Sequence, residues 1–183
     1  MIICGTGHRP PKLGGYTVDV FSRLIALGCN YIMDKEPDKI ISGMALGWDM
    51  ALARACVELN IYWTAAIPFD GVQARWPHQT IKAWSDLLDQ ADNVHYVSDG
   101  GYAPWKMHKR NEWMVDHSDK VVALYNGDPL GGTAACLHYA ESKDKTVDNL
   151  WKEWMEMNPQ ATSPYLNKPL RTEKEVKDVQ DRD

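Results

Sequence analysis

Apolar positions in this chain switch repeatedly between two spacings. Short apolar runs of strand length stand at residues 1–4, 39–41, 62–67, 93–97 and 120–125. Between them, apolar side chains recur three and four apart. Val18, Phe21, Leu24 and Ile25 mark a helix over 17–27, with Gly28 read as its stop, and further helices are predicted over 49–59, 77–90, 105–117 and 132–141. A last short strand is expected at 145–147 and an amphipathic helix at 150–157. Strands alternating with helices, with no internal repeat, predict an α/β fold: a doubly wound, mainly parallel sheet covered by helices on both faces.

The end of the chain differs. From Asn158 onward it is polar, holds Pro159, Pro164 and Pro169, and finishes in a charged run. The expected organisation is a nucleotide-binding domain over 1–150, then a C-terminal helix and a mobile tail over 151–183. Trp151, Trp154 and Met155 share one face of that helix. They are many large apolar groups for one short element, and a two-fold homodimer is expected from them.

At 183 residues the chain is long enough for one domain with a sizeable core. Its net charge of −5 argues against the broad basic footprint of a nucleic-acid binder, so a nucleic-acid partner is not expected. No apolar run approaches the roughly 18 residues of a membrane span, and the opening MIICGTGHRP has no basic region ahead of its apolar residues. The four cysteines stand far apart without a CxxC pair, which suits reduced thiols in a cytoplasmic protein. The histidines show no ligand spacing, so neither a metal nor a resident cofactor is expected.

Three strand ends carry glycine and small polar residues: Gly5, Thr6, Gly7, His8 and Arg9; Ser42 and Gly43 through Gly47; and Gly127 through Gly131, Gly132 and Thr133. In a doubly wound sheet these ends lie along one edge, where a helix N-terminus and bare backbone N–H groups favour an anion. Arg9 is placed to grip a phosphate in a two-pronged contact, and His8 either reaches the ligand or caps the turn. Asp49 either caps its helix or accepts from a ribose hydroxyl. Arg110 lies on the same helical face as Met107 and Met114, so it snorkels or meets an anion, with Asn111 and Asp116 adding hydrogen bonds. Gln73 and Trp76, after the third strand, suit a lid that bonds and stacks on a base, or a surface loop tacked down by one tryptophan.

Met107, His108 and Arg110, then Met114, Ser118 and Asp119, then Val122, Ala123, Leu124 and a Gly-Gly-Thr turn resemble the core of the Lonely Guy phosphoribohydrolases. The chain resembles more strongly the YpsA/YspA-related branch of the SLOG superfamily. That branch opens like Thr6, Gly7, His8, Arg9, continues like Ser42, Gly43, Gly47 and Asp49, and has a turn like Gly100, Gly101, Tyr102. It ends with a helix like Arg110, Asn111, Met114, Asp116 and the turn Gly131, Gly132, Thr133. The match covers about residues 1–142. It implies a Rossmann-like fold, a nucleotide or nucleotide-derived small-molecule ligand, and a phage or bacterial source, so a phage protein would work in the host cytoplasm. The leading expectation is a sensor or sequestering protein. The alternative is an N-glycosidase acting on a nucleoside monophosphate, with Arg110 and Asp116 as catalytic residues. Against the enzyme, the glutamate that phosphoribohydrolases carry three residues after the Gly-Thr turn is Cys136 here; Asp49, Asp116, Asp128 and Glu112 are the substitutes to weigh. DNA-processing protein A has a related fold, but the acidic balance disfavours DNA binding.

Overall fold

The computed structural model describes residues 1–158. Six strands form one sheet: β1 (Ile2–Gly7), β2 (Lys39–Ser42), β3 (Trp63–Ile67), β4 (Asn93–Tyr96), β5 (Lys120–Leu124) and β6 (Thr146–Asn149). Their order is β4-β3-β2-β1-β5-β6, and every pairing is parallel. Six α-helices connect or follow them: α1 (Val18–Lys35), α2 (Trp48–Leu59), α3 (His78–Leu88), α4 (Pro104–Asp116), α5 (Gly132–Ser142) and α6 (Trp151–Met157). The fold is the Rossmann-like, doubly wound α/β architecture that the alternating pattern predicts.

The pleat divides the core. Ile3, Ile40, Ala65, Val122 and Leu124 face α1, α2 and α6; their chain neighbours Cys4, Ile41, Ala66, Val121 and Ala123 face α4 and α5. Both faces of the central strands are covered, which is why those strands read as continuous apolar runs rather than alternating ones.

Two boundaries differ from the sequence reading. Gly28 does not stop α1, which runs seven residues further to a left-handed Glu36. A Cβ on Gly28 would stand 3.0 Å from the Cβ of Ala55, so this glycine serves the close approach of α1 to α2. At the other end, Trp151 and Trp154 are buried in the core shared with α1 and β5, and Met155 and Met157 pack against it. The apolar groups on which the homodimer expectation rested are therefore covered by the chain's own domain. Asn158 pins the helix end: its Nδ2 donates to the Leu13 carbonyl at 3.1 Å, and Arg23 donates to the Met157 carbonyl at 3.1 Å. The predicted mobile tail, residues 159–183, lies outside the described residues. No helix among the described residues is long and apolar enough to cross a membrane.

Candidate functional site

The strand order reverses beside β1: β2, β3 and β4 lie on one side of it and β5 and β6 on the other. The chain segments leaving β1 and β5 therefore diverge, and open α/β sheets bind ligands in the crevice left between them. Here that crevice has a volume of about 1090 Å³. Thr6 through Arg9, at the end of β1 and just past it, form one wall. Leu130 through Thr133, at the start of α5, form another, and Tyr102 through Asn111 on α4 and the loop before it form a third.

The expected glycines fall into two groups. Gly5, Gly7, Gly43 and Gly47 are closed in by neighbours. A Cβ on Gly7 would lie 2.6 Å from Trp48, one on Gly5 would meet Leu52, one on Gly43 would meet Arg110 and Asp49, and one on Gly47 would lie 2.7 Å from the His8 carbonyl. These four let α2 and the buried floor pack tightly. Gly131 and Gly132 are different: a Cβ on either would meet nothing within 4 Å. Gly131 needs glycine for its backbone, with φ at 97°. Gly132, at the first turn of α5, has no such need, and glycine in a helix costs about 1 kcal/mol against alanine. No side chain caps this N-terminus. Gly131, Gly132 and Thr133 at this end line the crevice, and an uncapped helix N-terminus favours an anion.

The floor is charged and buried. Asp49 and Arg110 are 5 and 7 % exposed, with Asp49 Oδ2 3.9 Å from Arg110 Nη1. Burial pushes the Asp49 carboxyl up to about 6, against the lowering pull of Arg110, the Ala45 backbone N–H and Arg9. Burial likewise lowers Arg110 from its ordinary value. The guanidinium is a strut as well as a charge. Nη1 donates to the Gly43 carbonyl, and Nε donates to Asn111 Oδ1 at 2.9 Å. Asn111 Nδ2 in turn donates to the Gly132 carbonyl at 3.3 Å. One pair of α4 residues thus holds both the floor and the first turn of α5. Ser42 stays behind the floor, its Oγ donating to the Asp49 carbonyl at 2.7 Å and accepting from the Met44 N–H at 3.1 Å.

His8 is fixed to the opposite wall. Its Nε2 lies 2.6 Å from Asn126 Oδ1. That oxygen also accepts the Asp128 N–H, and the Asn126 backbone N–H donates toward the same Nε2 at 3.2 Å, so Asn126 holds the ring through both its side chain and its backbone. Burial lowers His8 to about 4, leaving it neutral at physiological pH, where it clamps the segments after β1 and β5 together. Arg9, by contrast, is exposed on the crevice wall and has no ion-pair partner among the described residues. Lys12 beside it is paired with Asp128.

Several sequence expectations are relocated. Asp116 lies off the crevice: its carboxylate accepts from the Tyr139 hydroxyl at 3.0 Å and sits 3.6 Å from Lys143. This removes the ground for giving it a catalytic part. Gln73 and Trp76 do not line the crevice either; Trp76 packs edge-on against Trp84, ring centroids 6.2 Å apart. Cys136, at the position of the missing glutamate, is buried on the crevice floor with its thiol pushed up to about 11 by burial. It stays protonated and is no ready nucleophile. Of the carboxylates weighed as substitutes, Asp49 is the buried one on the crevice wall; Glu112 is exposed at its rim. Sequence reasoning gave no role to Tyr102, an exposed ring on the same crevice.

Fold and crevice together define a Rossmann-like protein whose switch point offers an uncapped helix end over a buried ion pair. The profile of the YspA SLOG family matches residues 3–158, and the chain belongs to that family. It is 31% identical over 161 residues to the SPbeta prophage-derived protein YoqJ of Bacillus subtilis (strain 168), covering 79% of this chain and 92% of that one. It is 26% identical over 183 residues to a UPF0398 protein of Bacillus pumilus (strain SAFR-032), covering 91% and 96%. Among solved structures, DNA processing protein A from Helicobacter pylori superposes with a TM-score of 0.57 at 16% identity, covering 100% of this chain and 81% of that one. The molybdenum cofactor carrier protein of Chlamydomonas reinhardtii superposes with a TM-score of 0.54 at 16% identity, covering 88% and 87%. At such identities these structures speak for the fold alone.

The first of them nevertheless corrects the exclusion of a nucleic-acid partner. That DNA processing protein A was solved for its single-stranded DNA binding mode, so this fold is compatible with such a ligand. Net charge was the wrong measure, because it averages the whole surface. On the crevice wall, Arg9 is exposed and an uncapped helix N-terminus lines the same crevice, while Lys12 is paired with Asp128 and Asp49 with Arg110.

Proposed function

We propose that the protein binds a nucleotide or nucleotide-derived small molecule in the crevice between β1 and β5, as a sensor or sequestering protein. The observation that carries this reading is Gly132. It is a glycine that neither backbone conformation nor packing requires, and it leaves the uncapped α5 N-terminus bare toward the crevice. The ligand's phosphate sits on the N–H groups of α5, and Arg9 closes on it from the opposite wall. Asp49, ionised near neutral pH, accepts from a ribose hydroxyl, and Arg110 holds Asp49 and α5 in register. Arg9→Ala should weaken the binding of adenosine 5′-monophosphate by roughly 1.5–3 kcal/mol, the worth of a charge-assisted hydrogen bond. Isothermal calorimetry measures it, and an unchanged affinity removes Arg9 from the site. A short single-stranded oligonucleotide titrated alongside distinguishes a free nucleotide from one carried in a strand.

Asp49 supports a second reading, N-glycosidic cleavage. It is a buried carboxylate on the crevice floor whose pKa, about 6, lies in the range of a general acid or base. Water would add to C1′ of the ribose as the bond to the base breaks, and the proton that the Asp49 carboxylate takes from that water would pass on to the departing base. Incubation of nucleoside 5′-monophosphates with excess protein should then yield free base and ribose 5-phosphate, detected by chromatography and lost in Asp49→Asn. Intact nucleotide after prolonged incubation leaves binding as the activity.

A further inference from the structure

Tyr102 is 67 % exposed, yet it lies on the crevice wall and not on an outer face of the domain. Lone exposed aromatic rings are common on protein surfaces, so exposure alone assigns nothing. The support beneath this ring is the informative part. Lys106 is a charged residue only 6 % exposed. Its ammonium donates to the carbonyls of Asp99 and Gly101, the latter at 2.6 Å, and lies 5.5 Å from the centre of the Phe69 ring. Burying a lysine is costly unless its charge is satisfied. Here that charge fixes one short segment, the turn that carries Tyr102. Pro104, at the first position of α4, stiffens the other side of the tyrosine.

The ring is braced by one aromatic neighbour. Buried Phe69 meets it nearly at right angles, 77°, with centroids 6.0 Å apart. A single T-shaped neighbour covers at most one side of a ring, so this exposed tyrosine keeps at least one flat face uncovered. Beside it, Gly101 is a second glycine with no positive φ and nothing within 4 Å of a built Cβ. A bare backbone next to a rigidly held, uncovered aromatic face is a platform for a flat group.

On the reading that the crevice binds a nucleotide, we infer that Tyr102 stacks on the ligand's base, and that Lys106 and Phe69 are positioning residues that hold the ring for it. Stacking is tolerant of base identity, because every base presents a π-face. The subsite therefore selects for the presence of a base and leaves the choice among bases to polar groups elsewhere on the wall. Trp105 is also exposed but does not line the crevice, and it takes no part.

The test compares two probes by calorimetry, adenosine 5′-monophosphate and ribose 5-phosphate. Tyr102→Ala should weaken the nucleotide roughly 5- to 150-fold and leave ribose 5-phosphate within about twofold. Tyr102→Phe should bind both as the parent does, and so should Trp105→Ala. Lys106→Met should weaken the nucleotide selectively while the thermal midpoint reports that the domain stays folded. If the parent protein binds the nucleotide and Tyr102→Ala binds it equally well, the base platform is overturned while the nucleotide reading stands. An equal loss of both probes in Tyr102→Ala also overturns it, because a stacking partner does not touch the sugar phosphate. If the parent protein binds neither ribose 5-phosphate nor any of the common nucleoside 5′-monophosphates, the nucleotide reading itself fails.

Discussion

Trp154→Ala is expected to lower the midpoint of thermal unfolding by roughly 6–20 °C, because truncating a buried tryptophan costs about 3–5 kcal/mol and each kcal/mol moves a domain of this size by about 2–4 °C. Trp154 is 0 % exposed and sits with Trp151 in the larger core. The effect reaches the crevice. Trp151 stands edge-on to the His8 ring at 6.0 Å, and His8 fastens the segments leaving β1 and β5. The same substitution should therefore also weaken ligand binding at temperatures where the domain remains folded. Differential scanning calorimetry decides the first part: a shift below about 3 °C would mean that α6 is an appendage to the core and not a part of it.

Arg110→Met should destabilise the domain by about 3–5 kcal/mol at pH 8, the usual penalty for stranding one member of a buried ion pair. The penalty should shrink as the pH falls. The sign follows from Asp49. Its folded pKa, about 6, lies above its ordinary value of 3.8. The folded state therefore takes up this proton first, and the charge penalty disappears as pH drops through the folded value. Without Arg110 the folded pKa rises further, so the variant recovers part of its deficit between pH 8 and pH 5. His8 works in the opposite direction. Its folded value is depressed to about 4, so stability is lost as pH falls below 6.5, but that loss is common to both proteins and cancels in the difference. Urea unfolding of both proteins at pH 5, 7 and 8 measures it. A deficit independent of pH would show that Arg110 acts through its bonds to Gly43 and Asn111 and not through the charge of Asp49.

Much of this was legible in the sequence because it depends on local pattern. Strand runs between helical spacings are enough for a parallel sheet, and Gly131, Gly132 and Thr133 announce the start of α5 after β5. What failed depends on partners distant in the chain. Gly5, Gly7 and Gly43 look like anion turns until Leu52, Trp48 and Arg110 are seen pressed against them. Gly28 looks like a helix stop because nothing nearby in sequence reveals Ala55. Asp116 and Arg110 lie on one helix six residues apart, but only Arg110 faces the crevice; Asp116 is held by Tyr139 and Lys143. Tyr102 was visible only as part of the turn Gly100, Gly101, Tyr102 and received no role, because an exposed tyrosine in a loop has no periodicity to mark it as a site residue. The misjudged nucleic-acid partner has the same root: a sum over the chain carries no information about which charges share a wall.

The central claim is that the crevice between β1 and β5 holds a nucleotide-type ligand. Native mass spectrometry of the purified protein, alone and after incubation with each common nucleoside monophosphate, tests it most directly. A non-covalent adduct of nucleotide mass is expected on the folded charge states, diminished in Arg9→Ala. Bare protein at every nucleotide concentration up to the millimolar range would contradict it.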